Sequence, residues 1–480
     1  MGAVNGPALT TASLTLTGHP FQRAGAWAVV VLAGRPTVDE VSAADLDQVA
    51  ERIVEEVCAA ATAAKGSAAY DWWKALFALY PNSKATHSKR PQDRVVLKAA
   101  VEELFVVDAE GGGVAVRSCT FCRGGASVVW AKSNLPLFDT NKALNTLPPG
   151  VPGWPVCRGC RIAVWALPYG SWVTAGSATV LTCERDAAER EFAEGNVRRA
   201  RRVMQLGFDR VLGAGVRPEL VALRALRAVR AELSGTTLWS FKNDNQEPWL
   251  RVTRTRRAVP CFLAVVEGNA PLRRAWRLLE LWLTRRDKQG AVVSSGSAEA
   301  ARLLFEAEDG RSVSFLYKLC QLLNDKGRPR YAQDEADLMG LALTYTKEIL
   351  GMEPDLVPVA TLLADWIEHG SGSPRGRWAE YYNVSQNGYR LGLLLNKAQN
   401  RLMLDGRDVP ATANDWRPLI GQRSGHWEHR MLLTPTVSKI LADRGVRLNE
   451  RVSEDEERRV REAVESPILS YEDDEVNGPS

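Results

Sequence analysis

The chain carries one spacing twice, in Cys119-Thr120-Phe121-Cys122 and in Cys157-Arg158-Gly159-Cys160. Each pair offers two thiolates to one ion, and two such pairs complete the tetrahedral shell of structural zinc. The alternatives are two disulfides, a redox pair, or unrelated core cysteines. Because four sulfur ligands leave no open position for water, we expect the zinc to support the fold and to take no part in chemistry.

The start of the chain and its apolar runs bear on the compartment. Residues 1–18 contain no charged segment followed by an apolar one, which is the pattern of a secretory signal. Disulfides persist mainly in oxidising compartments, so we expect reduced cysteines in a cytoplasmic protein. No apolar run approaches the roughly 20 residues that cross a bilayer, and we therefore expect no membrane partner.

The order of predicted elements indicates an α+β protein in two parts. Residues 1–270 mix helices with strands and enclose a zinc-ribbon-like module at 114–165. Residues 271–460 are predicted to form an all-helical bundle, and residues 461–480 an acidic, disordered tail. The interval between the two cysteine pairs exceeds that of a usual zinc ribbon, which predicts an irregular loop within one metal module.

Two local signals lie near the amino terminus. The pattern of residues 13–17 predicts a short strand, followed by a turn at Gly18-His19-Pro20 and a buried segment. Ser42 is a favourable N-cap ahead of apolar residues at helical spacing, which predicts a helix from that point.

Charge is distributed unevenly along the chain. The formal net charge is only +4, but residues 198–286 carry far more Arg and Lys than Asp and Glu. A basic middle suits a polyanion such as nucleic acid, although a GC-rich genome or solvated helices would also explain it. One basic run is too dense for a single solvated stripe of a helix and is predicted to contact phosphate: Arg198, Arg199, Arg201 and Arg202.

A second candidate for nucleic-acid contact is an amide-rich loop. Asn and Gln side chains each carry a donor and an acceptor, as the reading of a base edge requires, and arginines just behind the loop would hold phosphate. An ordinary hairpin loop is the alternative, because Asn and Asp also favour turns. The candidates are Lys242, Asn243, Asn245 and Gln246 in the loop, with Arg254, Arg256 and Arg257 behind it.

Common catalytic motifs are missing from the sequence. It contains no GxxxxGK[ST] phosphate-binding loop, no GxGxxG turn after a strand, no HExxH helix and no GxSxG elbow. We therefore expect a binding protein without catalytic residues, and not an enzyme.

Three segments, together with the cysteine pairs, resemble a known family. They are Leu16-Thr17-Gly18-His19-Pro20-Phe21, the stretch Trp165-Ala166-Leu167-Pro168-Tyr169-Gly170 after the second pair, and Leu238-Trp239-Ser240-Phe241-Lys242-Asn243-Asp244-Asn245. In order and over most of the chain, this pattern resembles the CXXC-CXXC large subunit of type I CRISPR Cascade complexes.

The resemblance implies a non-catalytic subunit of a crRNA-guided surveillance complex. In such complexes guide pairing reads the sequence, while the large subunit inspects the protospacer-adjacent motif on duplex DNA, supports R-loop formation and recruits an effector. The implied partners are crRNA, double-stranded target DNA, the Cascade backbone and guide-end-capping subunits, and a helicase-nuclease or transposition adaptor. Carried onto this chain, the resemblance assigns zinc to Cys119, Cys122, Cys157 and Cys160 and a small-subunit-like role to residues 271–460.

A function of another class is compatible with the same features. A free-standing zinc-dependent DNA-binding regulator or transposition factor would share the cysteines and the basic charge. The two differ in their dependence on partners, because a regulator prefers one DNA site by itself. A Cascade subunit alone is expected to bind duplex DNA weakly and without sequence preference.

Overall fold

The computed structural model describes residues 13–108, 116–131, 133–137, 153–211, 217–228, 232–243, 247–307, 314–324, 332–352, 355–420 and 426–446. These residues confirm the predicted α+β class, with abundant helices and small antiparallel sheets. The chain divides into two compact units, Met1–Ala264 with Leu283–Ser312 and Val265–Trp282 with Val313–Ser480. The tail predicted at residues 461–480 lies outside the described part of the chain.

Helices make up most of the described structure. In chain order they are α1 (Pro20–Leu32), α2 (Ala43–Ala61), α3 (Ala68–Leu79), α4 (Arg94–Glu102), α5 (Arg158–Gly170), α6 (Asp186–Leu206), α7 (Phe208–Val211), α8 (Pro218–Ala228), α9 (Val259–Gly268), α10 (Ala270–Leu283), α11 (Gly296–Arg302), α12 (Phe315–Asn324), α13 (Ala332–Leu350), α14 (Val357–His369), α15 (Pro374–Val384), α16 (Gly388–Leu404), α17 (Ala413–Ile420) and α18 (His426–Asp443). A short 3-10 helix, Glu103–Phe105, follows α4.

The strands belong to the first unit. They are β1 (Arg117–Ser118), β2 (Gly125–Ala126), β3 (Val129–Trp130), β4 (Trp154–Pro155), β5 (Trp172–Val173), β6 (Ala178–Cys183), β7 (Thr236–Lys242), β8 (Trp249–Arg254), β9 (Arg285–Arg286), β10 (Val292–Ser294) and β11 (Glu306–Ala307). A five-stranded antiparallel sheet has the order β11-β8-β7-β6-β5, and the remaining strands pair as β1-β2, β3-β4 and β9-β10. Trp239 on β7 lies between Val180 on β6 and Val252 on β8, which fixes the register of the central strands.

The prediction of a strand at residues 13–17 is wrong, and the buried segment after it is helix α1. Pro20 takes the first helical position, where a missing N–H is harmless because that group has no intrahelical acceptor. Ala28, Val29 and Val30 have no exposed surface, so α1 shows little polar face and its helical period is hard to recognise.

Ser42 caps helix α2 as predicted. Its side chain accepts a hydrogen bond from the N–H of Asp45, and the Asp45 carboxylate accepts one from the N–H of Ser42 at 2.8 Å, which completes a capping box. Arg35 pairs with the same carboxylate at 2.9 Å. The hydrogen bonds from Arg35 and Ser42 hold the pKa of Asp45 well below its ordinary value.

Helices α1 and α5 form the centre of the first unit. Their backbones approach so closely that a Cβ at Gly25 would collide with the carbonyl oxygen of Ala163, and one at Gly170 with that of Ala24. Glycine is therefore required at both contacts. Every residue of α5 is buried, which explains how a short apolar stretch after the second cysteine pair can anchor that pair to the core.

An internal proline in α5 is compensated by a tyrosine from outside the helix. Pro168 has no N–H, so the carbonyl of Val164 loses its usual helical partner. The hydroxyl of Tyr80 donates to that carbonyl, and the Tyr80 ring stacks on Trp165 with ring centroids 4.5 Å apart. The helix thus continues across the proline without a buried unpaired carbonyl.

The division between the units differs from the boundary predicted after residue 270, because residues 283–312 belong to the first unit. Strand β11 pairs with β8, where Glu306 lies opposite Arg254. Glu299 on α11 accepts an ion pair from Arg217 at 2.9 Å. The strand contact attaches the segment to the sheet, and the ion pair attaches it to the start of α8; the helical pattern of the sequence indicated neither.

Among the described residues of the second unit, the regular elements are all helices, joined by turns and loops. Helix α14 packs against α15, α16, α17 and α18. The core contains leucines without exposed surface: Leu362, Leu363, Leu391, Leu395, Leu432 and Leu433. None of the described helices of either unit is long and apolar enough to cross a membrane.

Candidate metal centre

The structure brings the four predicted cysteines together. The sulfur atoms of Cys119, Cys122, Cys157 and Cys160 all lie within 4.8 Å of one another, and those of Cys122 and Cys157 are 3.4 Å apart. Cys119 and Cys160 are buried, whereas Cys122 and Cys157 are half-buried. No other group with the geometry of a metal site occurs among the described residues.

The first pair lies in a tight turn between β1 and β2. The N–H of Cys119 donates to the carbonyl of Gly124 at 2.7 Å, and the N–H of Arg123 donates to the carbonyl of Cys119 at 3.0 Å. Arg123 has a φ of 69°, a left-handed conformation that is uncommon for a residue with a side chain. This turn points both sulfurs toward the second pair, as in a zinc knuckle.

The second pair departs from a knuckle, because it lies at the amino terminus of α5. Cys157 is the N-cap residue and Cys160 lies in the first turn. The N–H of Cys157 donates to the sulfur of Cys119 at 3.4 Å, which links the two pairs directly. The positive end of the helix dipole favours thiolates at this position.

Crowding of the sulfurs affects their protonation. Hydrogen bonds from the other three thiols, with Cys122 first, hold the pKa of Cys119 far below its ordinary value. The contact with Cys119 in turn raises the pKa of Cys157 and of Cys160. Four such thiols can ionise together only beside a cation, which makes this donor set suited to a metal ion.

Two arginines in the first turns of α5 hold the metal centre to the core. Arg161 has no exposed surface and donates to the carbonyls of Val156, Leu104 and Val106 at 3.1, 2.9 and 2.8 Å. Arg158 donates to the carbonyl of Phe105 at 2.8 Å. The residues that follow α4 are therefore tied to the helix that carries the second cysteine pair.

Asp108 completes this bracing. It accepts hydrogen bonds from the N–H of Arg158 at 2.7 Å and of Ser127 at 3.0 Å, and it pairs with Arg161 at 3.2 Å. Burial raises the pKa of Asp108, but the hydrogen bonds from Ser127 and the charge of Arg161 outweigh it and hold that pKa below its ordinary value. One carboxylate thus joins the first turn of α5 to the segment between β2 and β3.

Gln22 of α1 contacts the cluster from the other side. Its amide nitrogen lies 3.7 Å from the sulfur of Cys160 and donates to the carbonyl of Thr15 at 2.7 Å. Its amide oxygen accepts from the N–H of Thr17 at 3.1 Å. Gln22 has no exposed surface, so its amide is held in one orientation with a donor facing sulfur.

The sequence did not indicate Gln22, Asp108 or Arg161 as part of this site. Arg161 gave one signal, because a charged residue inside the apolar run of residues 160–170 requires buried partners. The partners themselves lie far away along the chain, at residues 104–108, and no local pattern links them to the cysteines.

The four arginines of the predicted phosphate-binding run on α6 differ in burial. Arg198, Arg201 and Arg202 are exposed, but Arg199 is buried. Arg199 donates to the carbonyl of Val173 at 2.7 Å and lies 3.8 Å from the centre of the Trp172 ring. Its guanidinium therefore holds β5 against α6 and is not presented to a ligand.

Strands β7 and β8 are antiparallel neighbours, and Lys242 and Asn243 lie at the end of β7. The amide nitrogen of Asn243 donates at 2.6 Å to the carbonyl of Leu79, at the carboxyl end of α3, where helical carbonyls lack partners. Lys242 is half-buried, whereas Asn245 and Gln246 lie outside the described residues. The one loop amide that the structure describes thus has a structural partner.

The arginines behind the loop remain at the surface. Arg256 pairs with Glu306 at 2.7 Å and Arg257 with Glu184 at 3.0 Å, all with exposed side chains, and Arg254 is exposed on β8. Exposed ion pairs are worth only about 0–1 kcal/mol. Arg256 and Arg257 can therefore exchange a carboxylate for a phosphate at little cost.

Comparison with known protein families, with curated proteins and with solved structures finds no match for this chain. The resemblance to a Cascade large subunit thus rests on the sequence segments quoted above.

Proposed function

We propose that the four cysteines bind a structural zinc ion. The donor set is sulfur only, it is preorganised by backbone hydrogen bonds, and it has a buried amide facing Cys160. Tetrahedral sulfur sites take zinc or iron, and zinc would supply a closed, redox-inactive link between the β1-β2 turn and α5. The residues of this chain then hold the ion and orient its sulfurs, with no position for a substrate.

Metal analysis of the purified protein tests this step. We expect one zinc per chain, a colourless protein, and loss of folded structure on prolonged chelation, because metal binding and folding are coupled in such sites. Iron with visible absorption, or a metal-free protein that is fully folded, would contradict the zinc assignment.

We further propose that the protein is the non-catalytic large subunit of a type I CRISPR Cascade complex in the cytoplasm. One observation carries this proposal: two of the three segments on which the sequence resemblance rests, residues 16–21 and 238–245, lie together in the structure beside both cysteine pairs. Phe21 packs on Phe241 with ring centroids 4.4 Å apart, and His19 lies 5.0 Å from Phe121 of the first cysteine pair. Gln22 contacts Cys160 of the second.

The proximity of these two segments to the cysteine pairs supports one shared site more than it supports unrelated sequence similarities. Strand β7 ends in the same region, and exposed arginines at the end of β8 and just after it are suited to a DNA backbone. In the proposed complex this surface would inspect the protospacer-adjacent motif and support R-loop formation while crRNA pairing reads the target. An effector, either a helicase-nuclease or a transposition adaptor, would then be recruited.

Co-purification tests the proposed function. The tagged chain is expressed with its neighbouring genes and a guide array, and the eluate is examined for RNA and protein subunits. We expect a stoichiometric particle that contains a discrete guide RNA, the backbone subunits and the guide-end-capping subunit. Recovery of the chain alone, binding one DNA sequence without RNA, would instead identify a free-standing regulator.

A further inference from the structure

A cavity of about 270 Å³ lies beside the metal centre in the first unit. Its walls come from the start of α1, the β1-β2 turn, the segment after β3, strand β4, helix α5 and the paired strands β7 and β8. Typical sites for drug-sized ligands measure about 300–1,000 Å³, so this cavity suits a single small ring system.

The lining of the cavity is aromatic and apolar. Phe121, Trp154, Trp239 and Phe21 contribute rings, and Leu250 closes the side formed by β8 with 51% of its side chain exposed. His19 adds one imidazole edge, which contacts both Phe21 and Phe121. Rings of this kind stack on any nucleobase, because every base has a π-face.

Charge around the cavity favours an anionic ligand. No carboxylate lines it, and the segment 116–137 contains no Asp or Glu. Arg117 and Arg123 are exposed on the β1-β2 turn, and within the described part of the chain neither forms an ion pair. A base that enters beside Phe121 would place its phosphate near these guanidinium groups, and the aromatic lining would stack on that base, whereas a neutral or basic peptide lacks this charge complementarity.

We propose that this cavity receives one unstacked nucleobase of a single strand, with its phosphate beside Arg123. The inference rests on the proposed nucleic-acid function and specifies where one nucleotide binds. Because Phe121 lies between Cys119 and Cys122, the metal centre fixes one wall of the cavity. Binding of the base then depends on the metal, although the metal contacts no nucleotide.

The test uses the full-length zinc-loaded protein and short fluorescein-labelled DNA and RNA strands, intact or with one abasic position moved along the strand. We expect Phe121→Ala to weaken binding about tenfold, as the loss of one stacked base does. We expect an abasic substitution at one position to weaken binding to the wild-type protein by a similar factor and to have no further effect in Phe121→Ala.

Leu250→Trp provides a second variant that fills the cavity without touching the metal turn. It should also weaken binding about tenfold, while its zinc content and melting temperature match those of the wild-type protein. Tyr389→Ala removes an aromatic ring that is 76% exposed in the second unit and serves as the matched control, with no expected change in affinity.

Three other results would contradict the nucleobase site, and one of them would also contradict the proposed function. If folded Phe121→Ala and Leu250→Trp bind strands as the wild-type protein does, the nucleobase site is wrong while the proposed function stands. If these variants lose a protein subunit from the purified particle but keep strand affinity, the cavity receives a protein side chain. If the wild-type protein binds no strand, alone or in a particle, both the proposed function and the nucleobase site are wrong.

Discussion

The cysteine cluster and the arginine run of α6 are both dense patterns in the sequence, but the cysteines share one site in the structure, whereas the arginines do not. All four cysteines meet within 4.8 Å. The arginine run is split, with Arg199 buried against Trp172 while Arg198, Arg201 and Arg202 face outward. A pair of thiols separated by two residues has few chemical uses, whereas an arginine can bind a ligand, a carboxylate or a carbonyl, and only its surroundings decide which.

The largest effect should come from breaking the cysteine cluster. We expect Cys157→Ser to abolish zinc binding and to lower the free energy of unfolding by about 5 kcal/mol or more, because the metal contributes to folding directly. Denaturant unfolding and metal analysis measure both quantities.

Cys183→Ser is the matched control for that experiment. Cys183 lies outside the cluster, with its sulfur 3.1 Å from the hydroxyl of Ser234 and 3.5 Å from that of Thr236, so a hydroxyl fits its surroundings. It should keep full metal content. A Cys157→Ser protein that stayed folded and metal-loaded would show that the shared site is wrong.

The second-largest loss of stability should come from Arg161, which is buried beside the cysteine cluster. Arg161→Leu should lower the free energy of unfolding by about 3 kcal/mol, because it leaves three carbonyls and the Asp108 carboxylate without their buried partner. Arg123→Leu, at an exposed position of the same module, is the control and should change stability little. Equal stability of the two variants in denaturant would argue against the bracing role of Arg161.

A third experiment separates the members of the α6 run. We expect Arg199→Ala to lower the free energy of unfolding by about 2 kcal/mol, since it removes a buried hydrogen bond and the contact with Trp172. Replacing Arg198, Arg201 and Arg202 together by Ala should leave stability unchanged and weaken strand binding about tenfold at low salt. The opposite result would contradict this division of the arginine run: weaker strand binding without loss of stability in Arg199→Ala, and loss of stability without weaker binding in the triple variant.

The smallest effect tests the support of the helix that carries the second pair. Tyr80→Phe removes the hydroxyl that donates to the carbonyl of Val164 and keeps the ring on Trp165. We expect a loss of about 1 kcal/mol in thermal or denaturant unfolding, with zinc content unchanged. In a Pro168→Ala background the restored N–H should supply the missing hydrogen bond and reduce this loss.

The sequence predicted those parts of the structure whose signals are local. The cysteine spacing predicted the cluster. Ser42, together with the apolar residues at helical spacing after it, predicted the start of α2. The identity of α1 was missed, because a segment buried on all sides has no polar face to reveal a helical period.

Contacts between distant segments could not be predicted from local patterns. The bond between Gln22 and Cys160 and the carbonyls that Arg161 binds join residues far apart in the chain. Arg199 differs from its neighbours only because Trp172 and Val173 pass beside one face of α6. Such hydrogen-bond and ring partners are determined by the packing of the whole unit, and the spacing of residues along the chain does not reveal them.

The close approach of α1 to α5 also affects how the protein is made. Helix α1 leaves the ribosome early, but the glycine contact that covers it requires residues up to Gly170. Until then the apolar surface of α1 has to be sheltered, and α5 is held in place only when both cysteine pairs have been synthesised. We therefore expect a fragment that ends before residue 170 to aggregate and, under the proposed metal assignment, the yield of the full chain to depend on the zinc supply.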